Sequence, residues 1–360
     1  MRISLVSPGF PPELGGVEVV VGQLAEALHL SGHEVAVYAQ RQRGSSFAVT
    51  HEYPVHRFRD VTGSRQFPIA PGLARALWRD RRLFDVVHAH SFHAVPALMA
   101  ATVPSVPFVF TPHFHAEGHT RLASALHVAY DPLATTLFRR AQKVTCVSAA
   151  EAELLLRRYP AAESRLVIVP NGVDLDAILA AEPFETDRPV VLVAGRLEPY
   201  KRVDVAVRAF ARMSTEARLV ICGTGSDQPT LERLVRELGI APHVSFRGVV
   251  GDDELRGWQR TASSTVSLST REAFGLTLFE AAVAGSRVVA SDIPAHAELA
   301  GRLGRFDDRM TLLPSESSAD AVAEMLDHQV RAGPLSPLRD SGLDWSRVGQ
   351  QFVDIYRSVS

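Results

Sequence analysis

Short apolar runs rich in β-branched residues recur along the chain, separated by longer stretches whose apolar positions repeat every three to four residues. In the first half the runs are RISLV, EVAVYA, DVVHAH, VPFVFT, KVTCVS and LVIVP. In the second half they are PVVLVAG, ARLVICG, HVSFRG, STVSLS, SRVVAS and MTLLP. Between them, segments such as VEVVVGQLAEALHLSG and QPTLERLVRELG carry the helical period, the latter stopped by Gly239. Alternation of this kind predicts parallel sheets covered by helices, an α/β architecture. Twelve strands are too many for one standard doubly wound sheet, and AAEPFETDRP at 180–189 is a polar, proline-bearing seam. We therefore expect two Rossmann-like domains, 1–182 and 183–335, with 336–360 finishing the Gly- and Pro-rich linker RAGPLSPLRDSG and forming the helix WSRVGQQFVDIYRSV. Ligands in such folds bind beyond the carboxyl ends of the strands, so the cleft between two such domains is the expected site.

The totals narrow the class. A formal net charge of −2 gives no general pull toward nucleic acid, and any such partner would need a local basic patch. Cys146 and Cys222 each lie inside a strand-like run without metal-ligand spacing, which reads as buried thiols in a reducing compartment. The N-terminal apolar run is too short for a signal peptide, and no run of about 18 apolar residues exists to span a bilayer. A cytoplasmic location is the expectation.

Several stretches carry candidate chemistry. In SPGFPPELGGVE, Gly15 and Gly16 precede a helix whose positive end suits an anion. The pattern is neither G-x-G-x-x-G nor a P-loop, and a plain turn is the alternative. In VLVAGRLEPYKR, Arg196 and Lys201 follow a strand end and make a diphosphate clamp or a solvated basic loop. In STREAFGLTLFEAAVAGS a helix is predicted from near Phe274 or Gly275 to Ala284, closed by Gly285. Glu272 then lies on the loop before it and Glu280 on its second turn, while the amides of Gly275, Leu276 and Thr277 can take a phosphate. The alternative makes Glu272 a charge favourable to the helix dipole and Glu280 part of a solvated face. His88, His90, His93, His113 and His115 have H-x-H spacings, but no carboxylate or Cys completes a set, so no metal is expected. The D-x-D of Asp174 and Asp176 is discounted for its place at a domain edge.

Taken in order, LGGVE, DVVHAH, TPH, VPNGVD, GRLEPYK, GTGS, FRG, EAFGLTLFE, ASDIPAHAE and the closing helix with Trp345 and Tyr356 resemble the large retaining glycosyltransferase family 4, across nearly the whole chain. That resemblance implies the GT-B fold, two Rossmann-like domains facing across a cleft, with the last helix crossing back onto the first. It implies a metal-independent enzyme using a nucleotide diphosphate sugar, UDP or GDP, as co-substrate and no other cofactor. By the same resemblance Gly16 contacts donor phosphate or acceptor, and Arg196 and Lys201 neutralise the leaving diphosphate. Glu280 accepts from the ribose hydroxyls, and Glu272 lies near the transferred sugar. Phe274, Gly275, Leu276 and Thr277 present backbone amides to the donor, His113 touches its sugar, and the stretch from Arg247 to Val250 passes beside the base. The chain departs from the pattern in IPAHAE, where His296 and Glu298 stand in place of Gly-Gly-x-x-Glu, and at Arg202 after Lys201. The acceptor is a small molecule, glycan or lipid. A peripheral contact at the inner membrane face through 72–84 is one reading of Leu73, Arg75, Leu77, Trp78, Arg79, Arg81, Arg82 and Leu83; a basic surface helix packed on the first domain is the other. Two rival functions are a non-catalytic sugar-nucleotide-binding subunit on this scaffold and a dinucleotide oxidoreductase, for which GTGS at 223–226 is a poor fingerprint.

Overall fold

The computed structural model describes residues 1–13, 15–41, 50–62, 69–92, 94–114 and 133–360. They form two compact units, Met1–Gly172 with Leu343–Ser360, and Val173–Gly342. The division falls at Gly172 because the short helix Leu175–Ala180 packs on helices Asp252–Thr261 and Leu276–Ala284 of the second unit. Residues 335–342 stay with that unit too, since the Leu335 and Leu338 amides donate to the Gly285 and Val283 carbonyls.

In the first unit β1 (Arg2–Ser7), β2 (Glu34–Arg41), β3 (Val55–Arg59), β4 (Val86–His90), β5 (Phe108–Thr111), β6 (Lys143–Cys146) and β7 (Leu166–Ile168) form one sheet in the order β3-β2-β1-β4-β5-β6-β7. In the second, β8 (Val190–Ala194), β9 (Arg218–Cys222), β10 (Val244–Gly248), β11 (Ser264–Ser267), β12 (Arg287–Ser291) and β13 (Met310–Leu313) follow the order β10-β9-β8-β11-β12-β13. Every pairing is parallel. Strand order reverses between β1 and β4 and between β8 and β11, so each unit has a switch point where loops diverge and leave a crevice. The structure adds a strand to the expected twelve: VHRFR, on an edge, has half-exposed positions and no clean alternation to announce it. Its His56 and Phe58 rings nonetheless lie against Tyr38 on β2, 4.8 and 6.0 Å between centroids.

The central strands are buried along their length, which is why they read as unbroken apolar runs. The closing helix, Trp345–Val359, packs on the helix Gly16–Leu30 of the first unit. Gly349 lies against Ala27 there, and Trp345 covers Gly172, where a β-carbon would stand 2.9 Å from the Trp345 nitrogen. One long-range polar contact fastens that helix inside: the buried Tyr356 hydroxyl meets His88 Nδ1 at 2.7 Å.

Candidate functional site

In the second unit Arg196, Lys201 and Glu272 gather at the β8–β11 switch point, while Arg247 and Val250 lie on and just after the edge strand β10. The loop after β8 is held by a neighbour, because the Gly195 amide donates to the Cys222 carbonyl and the Leu197 amide to that of Thr224, both at 2.9 Å. This close approach explains GTGS: a β-carbon on Gly223 or Gly225 would collide with the backbone of Gly195 or Leu197. The two glycines thus let one loop lie flush on another and fix the segment that carries Arg196. The exposed Arg196 donates to the Tyr200 hydroxyl at 2.8 Å, and the guanidinium of Arg271 lies over the Tyr200 ring at 4.6 Å. Arg196 and Lys201 share the lining of a small cavity, about 10 Å³, with Gly195, Ser267 and Leu268 at the carboxyl ends of β8 and β11.

Lys201 and Glu272, 71 residues apart in sequence, form an ion pair in which Lys201 Nζ donates to Glu272 Oε1. Each side chain keeps 19% exposure. Burial alone pushes the Glu272 carboxyl up, but the Lys201 charge and hydrogen bond outweigh it and hold it below the usual range. The backbones bearing the pair are tied as well, the Thr270 amide donating to the Tyr200 carbonyl at 2.9 Å. A cation that sequence reading assigns to the leaving diphosphate and a carboxylate that it assigns to the transferred sugar are thus in direct contact.

The following helix spans Leu276–Ala284, with glycine in left-handed backbone at both ends: Gly275 at φ 90° and Gly285 at φ 103°. L-residues pay for that conformation, and glycine does not. First-turn geometry leaves the amides of Gly275, Leu276 and Thr277 without intrahelical carbonyls. Phe274 is buried against Phe279, so only its backbone can meet a ligand. Beneath Gly275 lies the fully buried His296, whose Nδ1 is 2.9 Å from the Ser291 carbonyl; a β-carbon on Gly275 would come within 3.3 Å of its ring. Glu280 is half-buried rather than on a solvated face. Burial pushes its carboxyl up to about 7, against the lowering effects of the Gln259 amide, 3.3 Å away, and the Arg256 charge. Arg247 lies over Trp258 and pairs with Glu254 at 2.8 Å, while Val250 packs on the apolar cluster of Val190, Leu192 and Val220. Asp174 caps the helix Leu175–Ala180 and lies 3.4 Å from Arg256, a structural use of the D-x-D.

In the first unit Gly16 opens its helix with clear space on the side a β-carbon would take. The Glu18 carboxylate folds back over Gly15, so an acidic side chain already sits at this helix start. At the ends of β4 and β5, His90 Nδ1 and His113 Nε2 lie 3.3 Å apart. His88 is committed to Tyr356 and, through Nε2, to Thr111 Oγ1 at 2.8 Å; burial pushes it down to about 3. Among the described residues no group of three His, Cys, Asp or Glu is placed to hold a metal; His93 and His115 lie outside them. Sequence reading missed Glu151, a buried carboxylate that accepts from the amides of Val147 and Phe114, the residue after His113. Its only signal was position, three residues into a helix capped by Ser148.

The basic helix needs a correction. Leu73 and Leu77 are fully buried in the first unit's core and cannot enter a bilayer. Trp78 and Leu83 are exposed, beside exposed Arg75, Arg79 and Arg82, though Arg79 is paired with Asp80 at 2.6 Å. Among the described residues no helix is long and apolar enough to cross a membrane.

Two parallel α/β units, each with a switch point, and a last helix returning to the first have the architecture of the GT-B fold. Residues 14–177 match the family described as Glycosyltransferase Family 4, and residues 175–331 match Glycosyl transferases group 1. The chain belongs to glycosyltransferase family 4. It is 30% identical over 320 residues to D-inositol 3-phosphate glycosyltransferase of Xylanimonas cellulosilytica, covering 78% of this chain and 76% of that one. It is also 30% identical over 394 residues to phosphatidyl-myo-inositol mannosyltransferase of Mycolicibacterium smegmatis, covering 100% and 94%. Among solved structures, Anabaena Alr3699/HepE in complex with UDP and glucose has the same fold, with a TM-score of 0.76 at 20% identity over 99% of this chain and 100% of that one.

Proposed function

We propose that the protein is a retaining, metal-independent glycosyltransferase that moves a hexose-type sugar from a UDP- or GDP-sugar to an acceptor hydroxyl. The observation that carries this reading is the Lys201–Glu272 pair beside Arg196 at the β8–β11 switch point. When a donor enters, Lys201 exchanges its carboxylate partner for the diphosphate, and Glu272 turns to the sugar hydroxyls. Cleaving the sugar–phosphate bond builds positive charge on the sugar and negative charge on the leaving diphosphate. Arg196, Lys201 and the amides of Gly275, Leu276 and Thr277 stabilise that leaving charge. The acceptor hydroxyl attacks the same face, and the departing phosphate takes its proton. Glu280 accepts from the ribose hydroxyls, and Arg247 to Val250 flank the base. His113 touches the donor sugar, and Gly16 offers its backbone to phosphate or acceptor.

A panel of UDP-, GDP-, ADP- and dTDP-sugars, scored for slow hydrolysis without acceptor, tests this. Turnover should survive EDTA and release the sugar with retained anomeric configuration. Binding of a nucleotide diphosphate with no hydrolysis or transfer would favour the non-catalytic subunit, and NADH binding alone would overturn both readings. The exposed Trp78 and Leu83 among arginines, with a relative named phosphatidyl-myo-inositol mannosyltransferase, support a lipid-linked acceptor at the inner membrane face, whereas the relative named for D-inositol 3-phosphate favours a small soluble one. Flotation with anionic liposomes, compared with a triple R79E/R81E/R82E variant, decides it: wild type that stays at the bottom sinks the membrane contact.

A further inference from the structure

Two non-glycine residues at neighbouring strand ends hold left-handed backbone: Ser91 after β4, at φ 75°, and His113 after β5, at φ 47°. Such backbone persists only where its surroundings over-determine it, and it clusters at functional sites. Here the surroundings are specific. The Ser91 amide donates to the Thr111 carbonyl at 2.9 Å and the Phe92 amide to that of Pro112 at 2.6 Å. The Glu151 carboxylate takes the Phe114 amide. From below, His90 reaches the His113 ring, the two rings lying 5.6 Å apart and within 25° of parallel.

His90 is fully buried, and the ring of His88 lies 4.1 Å away. Its Nδ1 faces His113 Nε2, whereas its Nε2 has no hydrogen-bond partner among the described residues. Two proton arrangements fit the contact between neutral rings. If His90 accepts, its own proton sits on Nε2, leaving a buried N–H with nothing to receive it. If His90 donates, Nε2 keeps only an unpaired lone pair. Orphaned buried N–H groups are the rarer and costlier of the two. We infer that His90 is a positioning residue, donating its Nδ1–H to His113 Nε2 and so fixing His113 as the Nδ1–H tautomer at a set ring angle. Burial pushes His90 well below the ordinary histidine range, with His88 and His113 acting the same way, so it stays neutral and keeps that proton.

The functional half of this inference rests on reading His113 as the residue that meets the donor sugar; the tautomer does not. His113 then offers an N–H donor from Nδ1, suited to a sugar hydroxyl oxygen, and the hydrogen-bonded neighbour sets which nitrogen carries the proton. Long-range ¹H–¹⁵N correlation on histidine-labelled protein near neutral pH, with the His113 signals identified by their loss in His113→Ala, reads the tautomer directly. We expect a bare Nε2 and a protonated Nδ1 on His113. His90→Asn puts an amide N–H close to the Nδ1 position, His90→Gln reaches only the Nε2 position, and His90→Leu offers neither. With the sugar nucleotide that scores in the hydrolysis panel, Asn should stay within about threefold of wild type, while Gln and Leu lose about tenfold in kcat at nearly unchanged KM. An Nε2–H tautomer in wild type overturns the inference, as does wild-type kcat in folded His90→Gln. If the Leu variant fails to fold, the Asn–Gln contrast still decides. A fully active His113→Ala would instead strike the functional reading of His113 and leave the tautomer result standing.

Discussion

Removing the ammonium of Lys201 is the most informative single change, because structure and proposed chemistry make separate demands on it. In Lys201→Met the carboxylate of Glu272 loses its charge partner and one hydrogen bond while remaining four-fifths buried. Breaking a fully buried pair from one side costs about 3–5 kcal/mol. With 19% exposure on each partner, water screens part of this, and we expect about 2 kcal/mol in chemical denaturation. Glu272→Gln should cost about as much by stranding the ammonium. The double variant, a neutral pair of similar volume, should lose only about 1 kcal/mol, a coupling of roughly 3 kcal/mol. The pH dependence has a definite sign. The Glu272 carboxyl lies below its ordinary value in the folded chain, so its contribution is present above the unfolded value and disappears as pH falls through the folded one. The stability gap between wild type and Lys201→Met should therefore narrow as pH falls below the ordinary carboxylate range, where the Glu272 carboxyl takes up its proton. Turnover should fall on the order of 100-fold or more in all three variants, including the double variant that recovers stability. Single losses that add to the double within about 0.5 kcal/mol would refute the pair as an energetic unit. A fully active Lys201→Met would refute the clamp.

Other outcomes follow from neighbouring groups. Gly225→Ala should cost about 3 kcal/mol, because its β-carbon meets the Leu197 backbone, whereas Gly301→Ala, with clear space in a helix, should gain about 1 kcal/mol; equal stabilities would refute the loop-packing argument. Calorimetry with UDP should show binding tighten about tenfold between about pH 6 and about pH 8 as the Glu280 carboxyl, pushed up to about 7, ionises. Glu280→Gln should flatten this difference; an unchanged slope would remove Glu280 from the ribose site. Glu151 is raised by burial to about 7 from 4.5. Its contribution is therefore full below the unfolded value and lost as pH rises through the folded one, by roughly 3 kcal/mol relative to Glu151→Gln. Parallel stability–pH curves for the two would contradict this.

Much of the fold was legible because each strand and helix is marked by its own neighbours in sequence. Twelve of the thirteen described strands carry apolar runs, and Gly275 and Gly285 bracket their helix as turn chemistry demands. The edge strand Val55–Arg59 escaped because one ladder and a half-exposed face require no apolar pattern. Spacing also marked Arg196, Lys201, Glu272 and Glu280 as candidates. It did not say which of them meet. The Lys201–Glu272 contact depends on β8 lying beside β11, an order set by crossovers that leave no periodic trace. The same holds for His90 and His113, which adjoin because β4 pairs with β5. GTGS read as a weak nucleotide fingerprint until loop packing gave its glycines a steric reason. Leu73 and Leu77 fitted either a membrane contact or packing on the first domain until their burial in the core settled it for packing. Local patterning determined which residues form elements and where polar groups cluster at their ends. Tertiary packing decided which charges face one another, which are desolvated, and so which carboxylate sits below its ordinary range at Glu272 and which above it at Glu280.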